Sequence, residues 1–348
     1  SAGLGLIASK VLLEGPLKKK EGSYLVSGRF GYPGVVAGLL GSNLTSKPQM
    51  WFYDVNAKVN RTLDARNRMF FSLYSGGDHT VFNKLVKGYG MDWGNATATI
   101  RWNHILNDKT NVNTSAVFSN YYYKYKSLSD GLRYVWKSNM QSYQLKSDWE
   151  RYQNNLLTLK GGVNLHYFTT MPGEVGKSGK DSNITPSQMP RKSLWDAALY
   201  AEANYKFLPH FLLNAGVRLS VLHAPASAYY AAKTFVMPEP RAELSFIPNA
   251  SHRFSVSYTQ AAQSIHMLTT SSVGIPSDMW MPANALLKPS VMRQLALGYE
   301  YNFPDKEYTL SLEAYMRRTS HVVDYRKNAD IFQNDRIEDE VETGSARG

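Results

Sequence analysis

The chain has 348 residues and no cysteine, which removes a disulfide framework and a thiolate metal site from consideration. Its net charge of +11 is scattered, with "LKKKEG" (17–22) the most basic turn, so a nucleic-acid partner finds no dense Lys/Arg tract. No apolar run approaches the roughly 20 residues of a spanning helix, yet 23 Tyr and 7 Trp accompany a mean hydropathy below zero, a pairing that suits an aromatic, apolar surface around a polar interior.

Period-two alternation predicts strands near 3–15, 23–32, 51–62, 68–75, 92–106, 111–126, 132–152 and 156–171. Further strands follow near 194–207, 211–222, 239–247, 253–263, 291–303 and 308–323, about fourteen in all, with no long helical stripe. The first alternates poorly; others alternate cleanly. Trp51, Tyr53, Val55, Ala57 and Val59 oppose Asp54, Asn56, Lys58 and Asn60. Phe211, Leu213, Ala215, Val217, Leu219 and Val221 oppose Asn214, Arg218 and Ser220.

The connections alternate too. Short polar turns fall at 17–22, 63–67, 107–110, 153–155, 208–211, 249–252 and 304–307. Longer segments lie between them at 33–50, 76–91, 172–193, 223–238 and 264–290, and only 127–131 is short. Long loops at one end and short turns at the other predict an outer-membrane barrel, with the turns periplasmic. Most strands reach the length of about 9–11 residues that a tilted spanning strand needs. Trp51, Phe52, Tyr53, Trp93, Tyr121, Tyr122, Tyr123, Trp136 and Trp195 fall where an interfacial aromatic girdle belongs.

The polar faces carry both signs of charge, Asp54, Lys58, Arg101, Asp148, Glu202, Arg218, Glu243 and Arg317 among them. In a dry core each such ion would cost several kcal/mol, whereas a wet lumen or a polar plug accepts them. His104 and His166 are expected on that luminal side. By the same parity Ser1 starts on the outer side and 324–348 forms a solvated outer loop, so the chain is expected to be an internal piece of a barrel.

Catalytic and metal signatures are absent from the pattern. Gly176-Lys177-Ser178 lacks the first glycine of a phosphate loop, since Met171 stands there. The eight histidines show no paired zinc spacing, and no nucleophile elbow is legible. The acidic run at 328–344 lacks calcium-loop spacing. No enzyme, metal or cofactor is expected.

Several stretches resemble barrels of TonB-dependent receptors, particularly those of Bacteroidota. The matching residues are Ser9, Lys10, Leu13, Glu14, Gly15 and Pro16, then Ser27, Gly28 and Arg29. Later come Pro276, Asp278, Trp280 and Pro282, and finally Lys288, Pro289, Gln294, Gly298 and Tyr299. The resemblance implies an all-β transmembrane antiparallel barrel of about 22 strands when complete. Residues 1–348 would be part of that barrel domain, without its N-terminal plug and last strands. It further implies a receptor in the outer membrane of a Gram-negative cell, importing an iron chelate, corrinoid, oligosaccharide or peptide with energy from TonB–ExbB–ExbD. Partners implied are its own plug, the bilayer and lipopolysaccharide, with room for a surface lipoprotein and no role for nucleic acid. The alternative is a passive pore of about fourteen strands. In the longest internal outer connection His266, Asp278 and Trp280 are candidates for contact with ligand, or else for a clasp folding that connection over the mouth.

Overall fold

The computed structural model describes residues 1–18, 21–40, 49–82, 88–127, 133–179, 182, 184–269, 279–304, 307–329 and 336–348. β1 (Ala2–Leu4), β2 (Ala8–Lys18) and β3 (Gly22–Gly31) lead into the short helix α1 (Pro33–Leu40). Six long strands follow: β4 (Gln49–Thr62), β5 (Asn67–Phe82), β6 (Tyr89–Asn107), β7 (Thr110–Ser127), β8 (Tyr134–Asn154) and β9 (Leu157–Lys177). After the two-residue β10 (Ser187–Gln188) come β11 (Lys192–Leu208), β12 (Phe211–Ala224), β13 (Lys233–Asn249) and β14 (His252–Gln263). A separate hairpin, β15 (Ile265–Leu268) with β16 (Met279–Pro282), precedes β17 (Ser290–Asn302) and β18 (Thr309–Tyr325). A short 3-10 turn (Ile337–Glu340) leads into β19 (Val341–Arg347).

Every long strand pairs antiparallel with the next one in the chain, from β2 through β9, then β11 to β14, β17, β18 and β19. β1 and β10 add short pairings to β2 and β9. The result is one curved meander that does not close into a ring. No described helix is long and apolar enough to cross a membrane.

The fourteen expected strands are all present, and nineteen strands are seen among the described residues. The expected strand 3–15 is two, because the chain turns at Gly5, whose amide donates to Ala8 O at 2.9 Å. β10, β15 and β16 lie inside expected loops. The fifth addition corrects the C-terminal expectation: 324–348 is not all loop, since β19 pairs with β18 from Tyr325↔Val341 to Arg318↔Arg347. "VETGSAR" has no apolar alternation, so its extended form is set by the hydrogen-bonding groups of β18 rather than by its own pattern.

The two faces separate cleanly. Leu145, Leu165, Ala197, Val221 and Val236 are successive register partners across β8, β9, β11, β12 and β13. Leu145 is 52% exposed and Val236 60% exposed, so this apolar row points away from the protein. A belt of this extent far exceeds the few hundred Å² that a soluble surface tolerates. The adjacent row, Gln144, His166 and Asp196, points the other way and is at least half-buried. At 21 residues each, β8 and β9 exceed the span of a bilayer and continue beyond it on the long-loop side.

Candidate ligand mouth

At the long-loop end one buried cluster holds Tyr123 of β7, Trp136 of β8, Val175 of β9, Val323 of β18 and Val341 of β19. β9 and β18 are separated in the sheet by five strands, so only the concave side can bring them together. The hairpin β15–β16 fills this space, with β16 against β9 and β11 and β15 against β18. It is a chord across the curve.

Strand alternation gives the hairpin two faces. The pairs His266↔Met281 and Leu268↔Met279 turn to the wall, where His266 is 3% exposed and Met281 0%. The pair Met267↔Trp280 turns the other way, with Met267 44% exposed. Of the three residues singled out by sequence, His266 is therefore in the packed face and Trp280 in the open face. Asp278 lies outside the described residues.

His266 is held from one side. Its Nδ1 stands 3.4 Å from Ser290 Oγ, and that hydroxyl donates to His321 O at 2.7 Å. His321 Nδ1 in turn faces Pro289 O at 3.1 Å, as a donor. The backbone of His321 sits at φ 56°, at the register shift between Ser320 and Val322, a left-handed conformation unusual for a residue with a side chain. Burial lowers the His266 pKa; a backbone bond at Lys288 opposes this and nearby His321 adds to it. Its Nε2 has no hydrogen-bond partner among the described residues.

A second knot joins three connections. Lys192, at the outer end of β11, donates from Nζ to Glu338 Oε1 at 2.5 Å, and Asn284 Nδ2 donates to the same oxygen at 2.8 Å. Asn284 Oδ1 accepts from the amides of Leu286 and Leu287, which fixes the turn after β16. The Tyr230 ring lies 5.7 Å from Lys192 Nζ. Glu338 was expected in a solvated acidic loop; instead it is buried, because Lys192 and Asn284 compensate its charge. Residues 330–335 of that run lie outside the described residues.

The luminal charges are paired as their mixed signs suggest. Arg218 stands 3.6 Å from Glu239 and 4.0 Å from Asp196, while Arg253 meets Glu243 at 2.8 Å. Tyr200 donates to Asp148 at 2.5 Å. His166 is luminal as expected, bonded to Ser142 Oγ at 2.6 Å. His104 is not: it shares the outward face of Trp102, the rings 5.0 Å apart, at the short-turn rim. At a membrane rim both faces meet water, so polarity there no longer marks the lumen. No group of three metal-binding side chains occurs among the described residues.

An unclosed antiparallel wall, apolar outside and charged inside, with short turns below and packed loops above, defines a transmembrane β-barrel wall of the outer-membrane type. More particularly, the chain belongs to the TonB-dependent receptor-like β-barrel family, whose model matches residues 38–344. Its fold is similar to that of Fiu, the ferric-catecholate import receptor of E. coli K12, with a TM-score of 0.66 at 12% identity over 92% of this chain and 57% of Fiu. FpvA of P. aeruginosa, solved bound to a heterologous pyoverdine and iron, gives 0.69 at 11% identity over 98% of this chain and 50% of FpvA. The copper transporter OprC gives 0.66 at 11% identity over 97% of this chain and 56% of its own. The chain thus spans about half the length of these structures. No curated protein sequence matches it.

Proposed function

We propose that the chain forms much of the wall and mouth of an outer-membrane receptor that takes up a scarce nutrient using energy from TonB. The observation that carries this is the mouth hairpin, braced by the buried His266 face while Met267 and Trp280 turn to the open side. A plug domain of the same protein would fill the charged lumen, and TonB–ExbB–ExbD would act on that plug. The motifs at 8–32 and 276–299 support a Bacteroidota host, and a surface lipoprotein could cap the mouth. Family membership favours this transporter over a passive pore and over an enzyme.

Met267 and Trp280 would contact the nutrient, together with Asp278 of the same connection, and His266 would position them. Iron chelates are the first class to try, because Fiu and FpvA handle ferric ligands; corrinoids, oligosaccharides and peptides follow. The test deletes the receptor in its host and supplies each class in turn as the limiting nutrient. Growth should fail on one class and return with the full-length receptor. Undiminished growth of the deletion strain on every class would sink the proposal.

A further inference from the structure

Met189, Met279 and Met281 all lie in the buried cluster at the mouth. Met279 and Met281 alternate on the packed face of β16, where Met281 is the register partner of His266 across the hairpin. Met189 directly follows β10, and its amide donates to Gly173 O at 2.9 Å, which ties it to β9. Two separate connections thus bring three thioethers to the hairpin face that also carries His266.

The tautomer of His266 follows from its neighbours. Ser290 Oγ gives its hydrogen to His321 O at 2.7 Å, so towards His266 it can only accept. The imidazole proton therefore sits on Nδ1, and Nε2 carries a bare lone pair. That atom is buried and has no hydrogen-bond partner among the described residues. Methionine as a flexible filler of gaps explains the thioethers. It does not explain a buried acceptor without a donor, which folded proteins seldom keep. A histidine that spends its Nδ1–H on an oxygen and holds Nε2 free is arranged as a metal ligand.

We propose that His266 Nε2 and the thioethers of Met279, Met281 and Met189 bind one soft monovalent metal ion of the Cu(I) or Ag(I) class. Thioether and imidazole are the donors that such ions select. Imidazole, carboxylate and thiolate groups do not gather in threes among the described residues, so zinc and the hard cations lack their donors here. With no carboxylate in the set, a divalent ion would also bring the larger uncompensated charge into a buried site. The donors face the wall, while Met267 and Trp280 face the opening. The ion is therefore a resident brace rather than cargo. It joins the hairpin to the connection between β10 and β11, and this holds whichever nutrient is carried.

The test takes the full-length receptor in detergent, stripped of metal, with Ag(I) as a redox-inert probe. After loading and dialysis against free methionine, native mass spectrometry should find one equivalent retained. Silver-edge X-ray absorption should show sulfur and nitrogen neighbours. Met279→Leu with Met281→Leu keeps the packing volume and removes the sulfurs, so affinity should fall about tenfold or more. Metal-free hydrogen exchange at 265–268 should stay at the wild-type rate in that variant, and Ag(I) should slow exchange at 265–268 and 279–282 in the wild type alone. Met316→Leu, exposed on β18, should leave retention unchanged. No retained ion, equal retention by the double variant, a shell of oxygen alone, or Zn(II) binding as tightly as Ag(I) would each overturn the site.

Discussion

Lys192 and Glu338 meet at 2.5 Å although 146 residues separate them, and their side chains are 3% and 0% exposed. Removing one partner of such a pair strands a buried charge, at a cost of about 3–5 kcal/mol. Lys192→Met should therefore speed hydrogen exchange at 283–288 and 336–340 in the full-length receptor while leaving β11–β13 protected. Lys192→Met with Glu338→Leu removes both charges and should recover much of the loss. If the single variant exchanged at the wild-type rate, the knot would not hold these connections.

The mouth should also respond to acid. Burial lowers the His266 pKa, so an opened hairpin binds a proton more readily than the packed one. The closed form gains from this at pH above the ordinary histidine value, about 6.5, and loses the gain as pH falls below it. Protection at 265–268, with exchange corrected for its intrinsic pH dependence, should be lower at pH 5.5 than at pH 7.5, and His266→Gln should flatten the difference. A slope that survives in His266→Gln would show that the proton is not taken up at His266, and would overturn this reading.

Inside and outside can be tested one residue apart. Leu145 faces lipid and Gln144 faces the lumen, where it donates to Asn164 Oδ1 at 2.6 Å. Leu145→Arg should cost about 2–4 kcal/mol near the bilayer centre, against less than about 1 for Gln144→Arg. Urea unfolding of the receptor from lipid vesicles reads both values, and equal costs would contradict the assignment of faces.

What was legible in the sequence was whatever repeats every two residues. Val55 and Asp54, or Leu219 and Arg218, declare their faces because lipid and lumen are such different solvents. The mouth follows no such period. Glu338 reads as one more acid in a polar run, and only Lys192 and Asn284, brought near by the curvature of the wall, make it a buried residue. "IHML" and "MWMP" are apolar short runs with no turn dipeptide between them, so nothing local announced the hairpin. The aromatic and charged residues of the loop motif were visible, but which of them faces the wall depends on the register His266↔Met281.

That register separates positioning from contact. Trp280→Ala removes an aromatic from the open face, so it should weaken uptake of the limiting nutrient with hydrogen exchange of β15–β16 little changed. His266→Ala empties a packed site, where truncating a large buried side chain costs about 2–5 kcal/mol. It should loosen the hairpin and lower uptake with it, and the conservative His266→Gln should restore part of both above pH 7. Uptake and exchange measured on the same three full-length variants decide the matter. Were Trp280→Ala to loosen the hairpin as much as His266→Ala does, both residues would be packing residues, and the ligand surface would have to be sought elsewhere at the mouth.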